Sequence, residues 1–252
     1  MAMTTVLISG ANHGIGQGFV KRFLARPNHV VIAANRDPGS AASKALASLP
    51  KGEGSELILV KCDLVVQTDP LDAIKQLVSQ GINHLDVVIA NAGVVLFEAN
   101  HKVSEVTIDE IQRHFPVNTF GMLLLFQATL PLLKRSKNPK FVSVGSGSGQ
   151  ISLNPHLNGK PYRNSAYGPS KVMNHWLTKR INDEEPDIIS FPVDPGFVQT
   201  KAGNMVAQRF GLKEATTPVD DSCDGLVRII DMATKESHGG RLWRFDGVER
   251  AW

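Results

Sequence analysis

Cysteine is scarce in this chain. Cys62 and Cys223 are the only two among 252 residues, and their separation fits no metal-ligand spacing. A disulfide framework is excluded, and a reducing compartment is the default. Cys62 lies in an apolar, strand-like stretch, where a thiol serves as small buried filler. Charge of one sign is also lacking: 27 basic against 24 acidic side chains leave a formal +3, with no dense Lys/Arg run to mark a nucleic-acid surface. No apolar stretch reads as long enough to cross a bilayer, and the opening MAMTTVLISG has no basic segment followed by a signal-length apolar run. Repeats, biased tracts and metal-site spacings of His, Cys and Asp are missing as well. These absences lead to the expectation of a soluble, cytoplasmic protein that engages neither nucleic acid nor membrane.

What is present is a series of short β-branched runs separated by helix-length amphipathic segments. Strands are predicted at 5–9, 30–34, 57–62, 87–90, 140–144 and 188–193, with a late one near 241–245. Several are continuously apolar, the pattern of strands covered on both faces of a parallel sheet. Helices are predicted at 16–25, 41–47, 71–79, 107–114, 120–133 and 170–182. Thr107 and Glu110 have capping-box spacing. Residues 122–126 are apolar all round, which predicts a helix buried against the sheet and able to meet a neighbouring subunit. The alternation predicts an α/β fold over residues 1–252: one domain, a Rossmann-like doubly wound parallel sheet with helices on both faces.

The stretch ISGANHGIG, residues 8–16, sets three glycines directly behind the first strand. In a strand-to-helix turn Gly10 can leave the strand sharply, Gly14 clears room for a phosphate, and Gly16 lets the new helix pack close to the sheet. The helix N-terminus then offers unpaired N–H groups to a pyrophosphate. The spacing is G-x-x-x-G-x-G rather than G-x-G-x-x-G, and tight turns also hold glycine without binding anything. Position behind the first strand is what points to a dinucleotide.

Further motifs follow in order: Asp63 after the third strand, Asn91-Ala92-Gly93 after the fourth, Asn118 in VNTFG, Ser146 in SVGSGSG, Tyr167 and Lys171 in SAYGPSK, and DPGFVQT at 194–200. Together with the glycine turn this ordered set resembles the short-chain dehydrogenase/reductase family over essentially the whole chain. VIAANRDP and the closing GGRLWRFDG…AW are most similar to its sniffer-type and fungal ketoreductase branch. The resemblance implies hydride transfer between a nicotinamide and a carbonyl or secondary alcohol of a small molecule, in secondary metabolism. It implies catalytic roles for Ser146, Tyr167, Lys171 and Asn118. The implied cofactor site is Gly10, Asn12, His13, Gly14, Ile15, Gly16, Arg36, Asp63, Leu64, Asn91, Ala92, Gly93, Tyr167, Lys171, Pro195, Gly196, Val198 and Thr200. Asp63 would contact the adenine, Lys171 the nicotinamide ribose, and Val198 and Thr200 the carboxamide, while Asn91 would brace the fourth strand.

A free tyrosine titrates near pH ~10, too high for acid–base work at neutral pH. A lysine four residues later on one helix shares its face, and the ammonium favours tyrosinate. Ser146 would stabilise charge on the substrate oxygen, and Asn118 would support a water-mediated proton relay. One departure stands out: where the family carries paired serines, the first position here is Gly145, and Ser148 remains the second choice for the serine role.

For the cofactor, the second strand ends Ala33-Ala34-Asn35-Arg36, without the carboxylate that favours NAD(H). Arg36 can pair with a 2′-phosphate, and His13 lies where NADP-using relatives place a basic residue. NADP(H) is therefore expected. A salt bridge of Arg36 to Asp37 would leave the preference mixed, and a register slip onto Asp37 would reverse it. Residues 150–165 and a lid at 201–217 carrying Met205, Val206 and Phe210 are expected to shape the substrate pocket, with Leu96, Phe97 and Phe197 as apolar walls suited to an apolar or aromatic ketone. His156 is placed near substrate, and His175 as packing on its helix. A dimer or tetramer is compatible with the apolar central helix. Two other readings stay open: a dinucleotide-sensing regulatory protein, or an isomerase or cyclase holding NADP without redox turnover.

Overall fold

The computed structural model describes residues 3–96, 101–153, 156–157, 160–161 and 163–252, the two short runs by backbone alone. Its strands are β1 (Thr4–Ser9), β2 (His29–Asn35), β3 (Glu56–Lys61), β4 (Val87–Ala90), β5 (Lys140–Val144), β6 (His156–Leu157), β7 (Lys160–Pro161), β8 (Ile189–Asp194), β9 (Leu242–Arg244) and β10 (Glu249–Arg250). The helices are α1 (Gly14–Leu24), α2 (Ala41–Lys44), α3 (Asp69–Ser79), α4 (Ile108–Gln112), α5 (Met122–Leu133), α6 (Tyr167–Glu184), α7 (Lys201–Arg209), α8 (Val219–Met232) and α9 (Lys235–His238).

The main sheet runs β3-β2-β1-β4-β5-β8-β9-β10. Every neighbouring pair is parallel except β9 with β10. Strand order reverses between β1 and β4, so the connections leave that point in opposite directions and open a crevice at the C-terminal strand ends. The continuous apolar runs are explained by burial on both faces. Val6 and Ile8 pack with Phe19 and Phe23 of α1 and with Leu226 and Ile230 of α8. Leu7, between them, faces the opposite layer, where Leu77 of α3, Leu125 of α5 and Ile181 of α6 close the core. The expected α/β, doubly wound, single-domain architecture is the one observed.

Besides the short β6, β7, β10 and α9, three details differ from the sequence expectation. First, α8 was not foreseen, although Pro218 precedes it and Asp220 and Asp221 occupy its first turn. Second, α6 begins at Tyr167 rather than Ser170, so the helix that carries Lys171 also carries the tyrosine. Third, a helical run from Ile108 to Leu133 is long and apolar enough to cross a membrane by length and composition. More than half of its most apolar window is buried inside the fold, so it reads as a core helix. The run is continuous because a π turn, Pro116–Gly121, joins it to α5. Thr107 caps α4 as expected, accepting the Glu110 amide while the Glu110 carboxylate accepts the Thr107 amide. Met122, Leu125 and Phe126 of α5 are buried, as their composition requires. Burial also pushes the thiols of Cys62 and Cys223 up to about 12 and about 11, which leaves both as packing groups.

Candidate active site

The glycine turn behind β1 admits no side chain at its three glycines. Gly10 and Gly14 have φ of +63° and +51°. A Cβ on Gly10 would lie 2.9 Å from Ala92 Cα, one on Gly14 would lie 2.9 Å from Thr200 Cγ2, and one on Gly16 would overlap the Gly10 carbonyl. His13, the N-cap of α1, is extended and supplies no side-chain cap, so first-turn amides are left for an anion. Asn91 braces the turn from β4: its Nδ2 donates to the carbonyls of Ser9 and Gly10, each at 3.0 Å. Ser9 Oγ returns the tie by accepting the amides of Asn91 and Ala92 at 3.1 Å.

At the end of β2, Asn35 is buried and spent internally. Its Oδ1 accepts the Ala11 amide at 2.7 Å, and its Nδ2 donates to Ser43 Oγ at 3.2 Å. Asn12 donates to the same hydroxyl. Arg36 and Asp37 are both exposed, but they do not pair; the Asp37 carboxylate accepts the Gly39 amide at 2.8 Å instead. After β3, Asp63 accepts the Val65 amide, and Leu64 is buried where Gly121 leaves room for it.

A cleft of about 580 Å³ runs from this crevice over the ends of β4, β5 and β8. Of the residues expected at the site, Ile15, Asn91, Gly93, Ser146, Tyr167, Lys171, Pro195, Gly196, Val198 and Thr200 line it. Gly10, Asn12, His13, Gly14, Gly16, Arg36, Asp63, Leu64 and Ala92 lie outside that lining, in the turn and at the neighbouring strand ends. Asn118 sits behind it. Val94, Val95, Leu153, Phe197 and Val206 supply apolar walls, and Ser148, Gln150, Asp194, Arg244 and Arg250 supply polar ones. Met205 is exposed and Phe210 is buried, and neither lines the cleft; from the lid, Ala202, Gly203 and Val206 do. Leu96 is half-buried and not among the lining residues. Phe97 and the side chain of His156 fall outside the described residues.

Tyr167 and Lys171 occupy successive turns of α6, with the ammonium 5.8 Å from the centre of the phenol ring. Lys171 is buried and donates to the Val144 carbonyl at 2.8 Å. Burial lowers its pKa to about 8. Ser146 leaves β5 with extended backbone, φ −172°, and its Oγ accepts the Ser148 amide at 3.1 Å. That bond uses a lone pair and leaves the hydroxyl proton for a donor role. Asn118 lies in the π turn, a distortion that recurs at functional positions. Its side chain accepts the Val94 amide at 2.8 Å and donates to the Val94 carbonyl and to Ser170 Oγ, both at 3.0 Å. Ser170 Oγ donates onward to the Tyr167 carbonyl at 2.7 Å. Thr200 caps α7 by accepting the Gly203 amide at 3.0 Å.

Sequence reasoning missed three groups. His114 is buried, donates from Nδ1 to the Glu110 carbonyl, accepts the Leu96 amide on Nε2, and meets the Tyr167 ring edge-on at 6.0 Å. Asp194 lies in the cleft with its carboxyl accepting the Gly196 amide at 3.0 Å, and burial raises its pKa. His175, read as packing on its own helix, instead reaches the serine loop: its Nε2 accepts the Ser146 amide at 3.2 Å. No spacing in the sequence announces these contacts; the Gly145 departure was the one visible sign.

Residues 4–209 match the family described as short chain dehydrogenase. The chain is 42% identical over 253 residues to a norsolorinic acid ketoreductase of Dothistroma septosporum, covering 99% of this chain and 92% of that one. It is 39% identical to a short-chain dehydrogenase of Neurospora crassa, covering 99% and 98% of the two chains. Among solved structures, NADPH-bound carbonyl reductase from chicken fatty liver superposes with a TM-score of 0.85 at 25% identity, covering the whole of both chains.

Proposed function

The chain belongs to the short-chain dehydrogenase family and is an oxidoreductase of carbonyl and alcohol groups; within that class, we propose that it is an NADPH-dependent ketoreductase. The observation that carries this reading is the convergence of Tyr167, Lys171 and Ser146 on one cleft beside the glycine turn. The turn fits a dinucleotide: side chains are excluded at Gly10, Gly14 and Gly16, and α1 offers first-turn amides without a side-chain cap. Ile15, Asn91 and Gly93 would hold the ribose–phosphate portion, and Pro195 to Thr200 the nicotinamide end. When bound, the dinucleotide supplies the reducing equivalent to the carbonyl carbon.

In this reading the protein manages the oxygen. The Tyr167 phenol delivers a proton to the carbonyl oxygen as negative charge develops there, and the Lys171 ammonium makes the phenolate left behind less costly. The Ser146 hydroxyl donates a second hydrogen bond to the same oxygen. We prefer Ser146 to Ser148 because its hydroxyl accepts the following amide and so keeps its proton to give. Asn118 anchors the inner end through Ser170, which holds the Tyr167 carbonyl, and supports the proposed proton relay.

The preference for NADP(H) over NAD(H) rests on Asn35 and Arg36. Asn35 is neutral and already bonded to Ala11 and Ser43, whereas Arg36 is exposed and has no ion pair among the described residues. A charge-assisted bond to the 2′-phosphate is worth ~1.5–3 kcal/mol, or roughly ten- to hundredfold in affinity. Arg36→Ala is therefore expected to weaken NADPH by about that factor and to leave NADH unchanged, measured by fluorescence titration. Equal weakening of both would remove Arg36 from phosphate recognition.

The apolar walls suit a ketone on a bulky apolar or aromatic frame, in line with the norsolorinic acid ketoreductase likeness, and we place the reaction in secondary metabolism. A homo-oligomer, dimer or tetramer, is part of the same reading. The test follows NADPH absorbance with a panel of aryl and alkyl ketones. Ketone-dependent oxidation is the expected result. Tight NADPH binding without turnover would favour a sensing role, and substrate conversion without NADPH loss would favour non-redox use of the fold.

A further inference from the structure

The loop after β5 reads Gly145-Ser146-Gly147-Ser148-Gly149; within it the Ser146 hydroxyl is held by the Ser148 amide alone, and three glycines leave the backbone freedom to move both. A ring from α6 ties the serine backbone down. His175 is 2% exposed, one turn beyond Lys171, and its Nε2 accepts the Ser146 amide at 3.2 Å. An acceptor nitrogen requires a neutral imidazole with its proton on Nδ1. Burial, followed by the neighbouring Lys171 charge, lowers the ring's pKa to about 3, so that tautomer persists across the working range. Nδ1 faces the Gly149 backbone without a well-formed hydrogen bond. A buried nitrogen left so poorly satisfied reduces the stability the ring contributes.

The two outer glycines make room for this ring. A Cβ at Gly145 would overlap Nε2 and lie 2.8 Å from Cδ2; one at Gly149 would lie 2.7 Å from Cε1. Neither glycine has the positive φ that would demand glycine for backbone reasons. Space for the imidazole is therefore the reason a side chain is missing at 145. The far side of the ring is closed by Trp252, edge-on at 5.8 Å. Trp252 is itself tied to the loop's continuation: its carbonyl accepts the Ser152 amide at 2.9 Å, and the Ala251 carbonyl accepts Gln150 Nε2 at 2.6 Å.

We propose that His175 is the positioning residue for Ser146, a neutral acceptor that orients the serine amide, and with it the hydroxyl, toward the substrate oxygen. This rests on the reading of Ser146 as the donor to that oxygen. Three single variants, and a double-mutant cycle of Gly145→Ala with His175→Ala, test it. His175→Leu keeps apolar bulk but cannot accept; His175→Gln can accept through Oε1; Gly145→Ala drives a methyl into the ring. Expected results are a kcat loss on the order of ten- to hundredfold for His175→Leu, substantial recovery in His175→Gln, and unchanged NADPH affinity in both. Hydrogen exchange at the Ser146 amide, measured by NMR without substrate, should speed up in His175→Leu and stay slow in His175→Gln. Gly145→Ala should lose kcat, and His175→Ala added to it should cost less than the two losses combined.

Wild-type kcat and slow amide exchange in His175→Leu would overturn the proposal. So would equal losses of kcat, NADPH affinity and thermal stability in both His175 variants, since that pattern marks packing alone. If His175→Leu does not fold, the Gly145 pair decides: additive losses refute the coupling. Should the parent enzyme reduce no ketone, the ketoreductase reading fails, while the amide measurement still decides whether His175 holds the loop.

Discussion

Tyr167→Phe is expected to lower kcat for ketone reduction by about 10²- to 10⁴-fold, the range of a lost general acid, while NADPH affinity stays within a fewfold of the parent. The variant removes one oxygen and little else. The ring remains, so the edge-on contact with His114 and the start of α6 are retained. The Tyr167 carbonyl is held by Ser170 in either case. A loss confined to kcat would mark an interaction made in the transition state and not in the ground-state complex. Stopped-flow reduction under saturating NADPH, alongside a binding titration, separates the two quantities. Turnover within tenfold of the parent would remove Tyr167 from proton transfer. A parallel collapse of NADPH affinity would instead make it a binding group.

Much of the fold was legible because burial on both sheet faces writes itself as unbroken apolar runs, as at 5–9 and 140–144. The glycine turn was legible for a related reason. Gly10 and Gly14 there are required by their own positive φ and Gly16 by the Gly10 carbonyl, constraints that act within one turn of chain, although Ala92 and Thr200 also crowd the first two. α8 was not legible. Its segment VDDSCDGLVRIIDM carries Gly225 near its middle, which reads as a helix breaker. The structure supplies the reason for that glycine: a Cβ would overlap the Phe245 carbonyl, just beyond β9, so the helix packs there as only glycine allows. The same logic hid His175. Gly145 and Gly149 lie 30 and 26 positions before it, and the complementarity of ring and gap exists only once α6 lies over β5. Local rules revealed the residues whose neighbours are local; the serine loop is fixed by a distant side chain.

Lys171 offers the second large effect, because its charge is both needed and costly. Its pKa falls from 10.5 to about 8 through burial, which corresponds to roughly 3 kcal/mol against the folded ammonium below pH ~8. Between pH ~8 and ~10.5 the unfolded chain holds a proton there that the native protein has released, so native stability rises with pH across that window. Lys171→Met has no such titration. The parent is therefore expected to gain stability relative to Lys171→Met as pH rises from about 7.5 to 10, by an amount approaching that roughly 3 kcal/mol, in denaturant titrations at fixed temperature. Activity moves the other way. Above pH ~8 the parent loses the ammonium that supports the phenolate, so kcat/KM for reduction should fall on the alkaline side, and Lys171→Met should be depressed at every pH without that limb. A stability difference flat in pH would place the ammonium in contact with solvent. An alkaline limb preserved in Lys171→Met would assign the titration to another group. Opposite slopes of stability and activity across one window would identify Lys171 as a charge kept in the core for its chemistry.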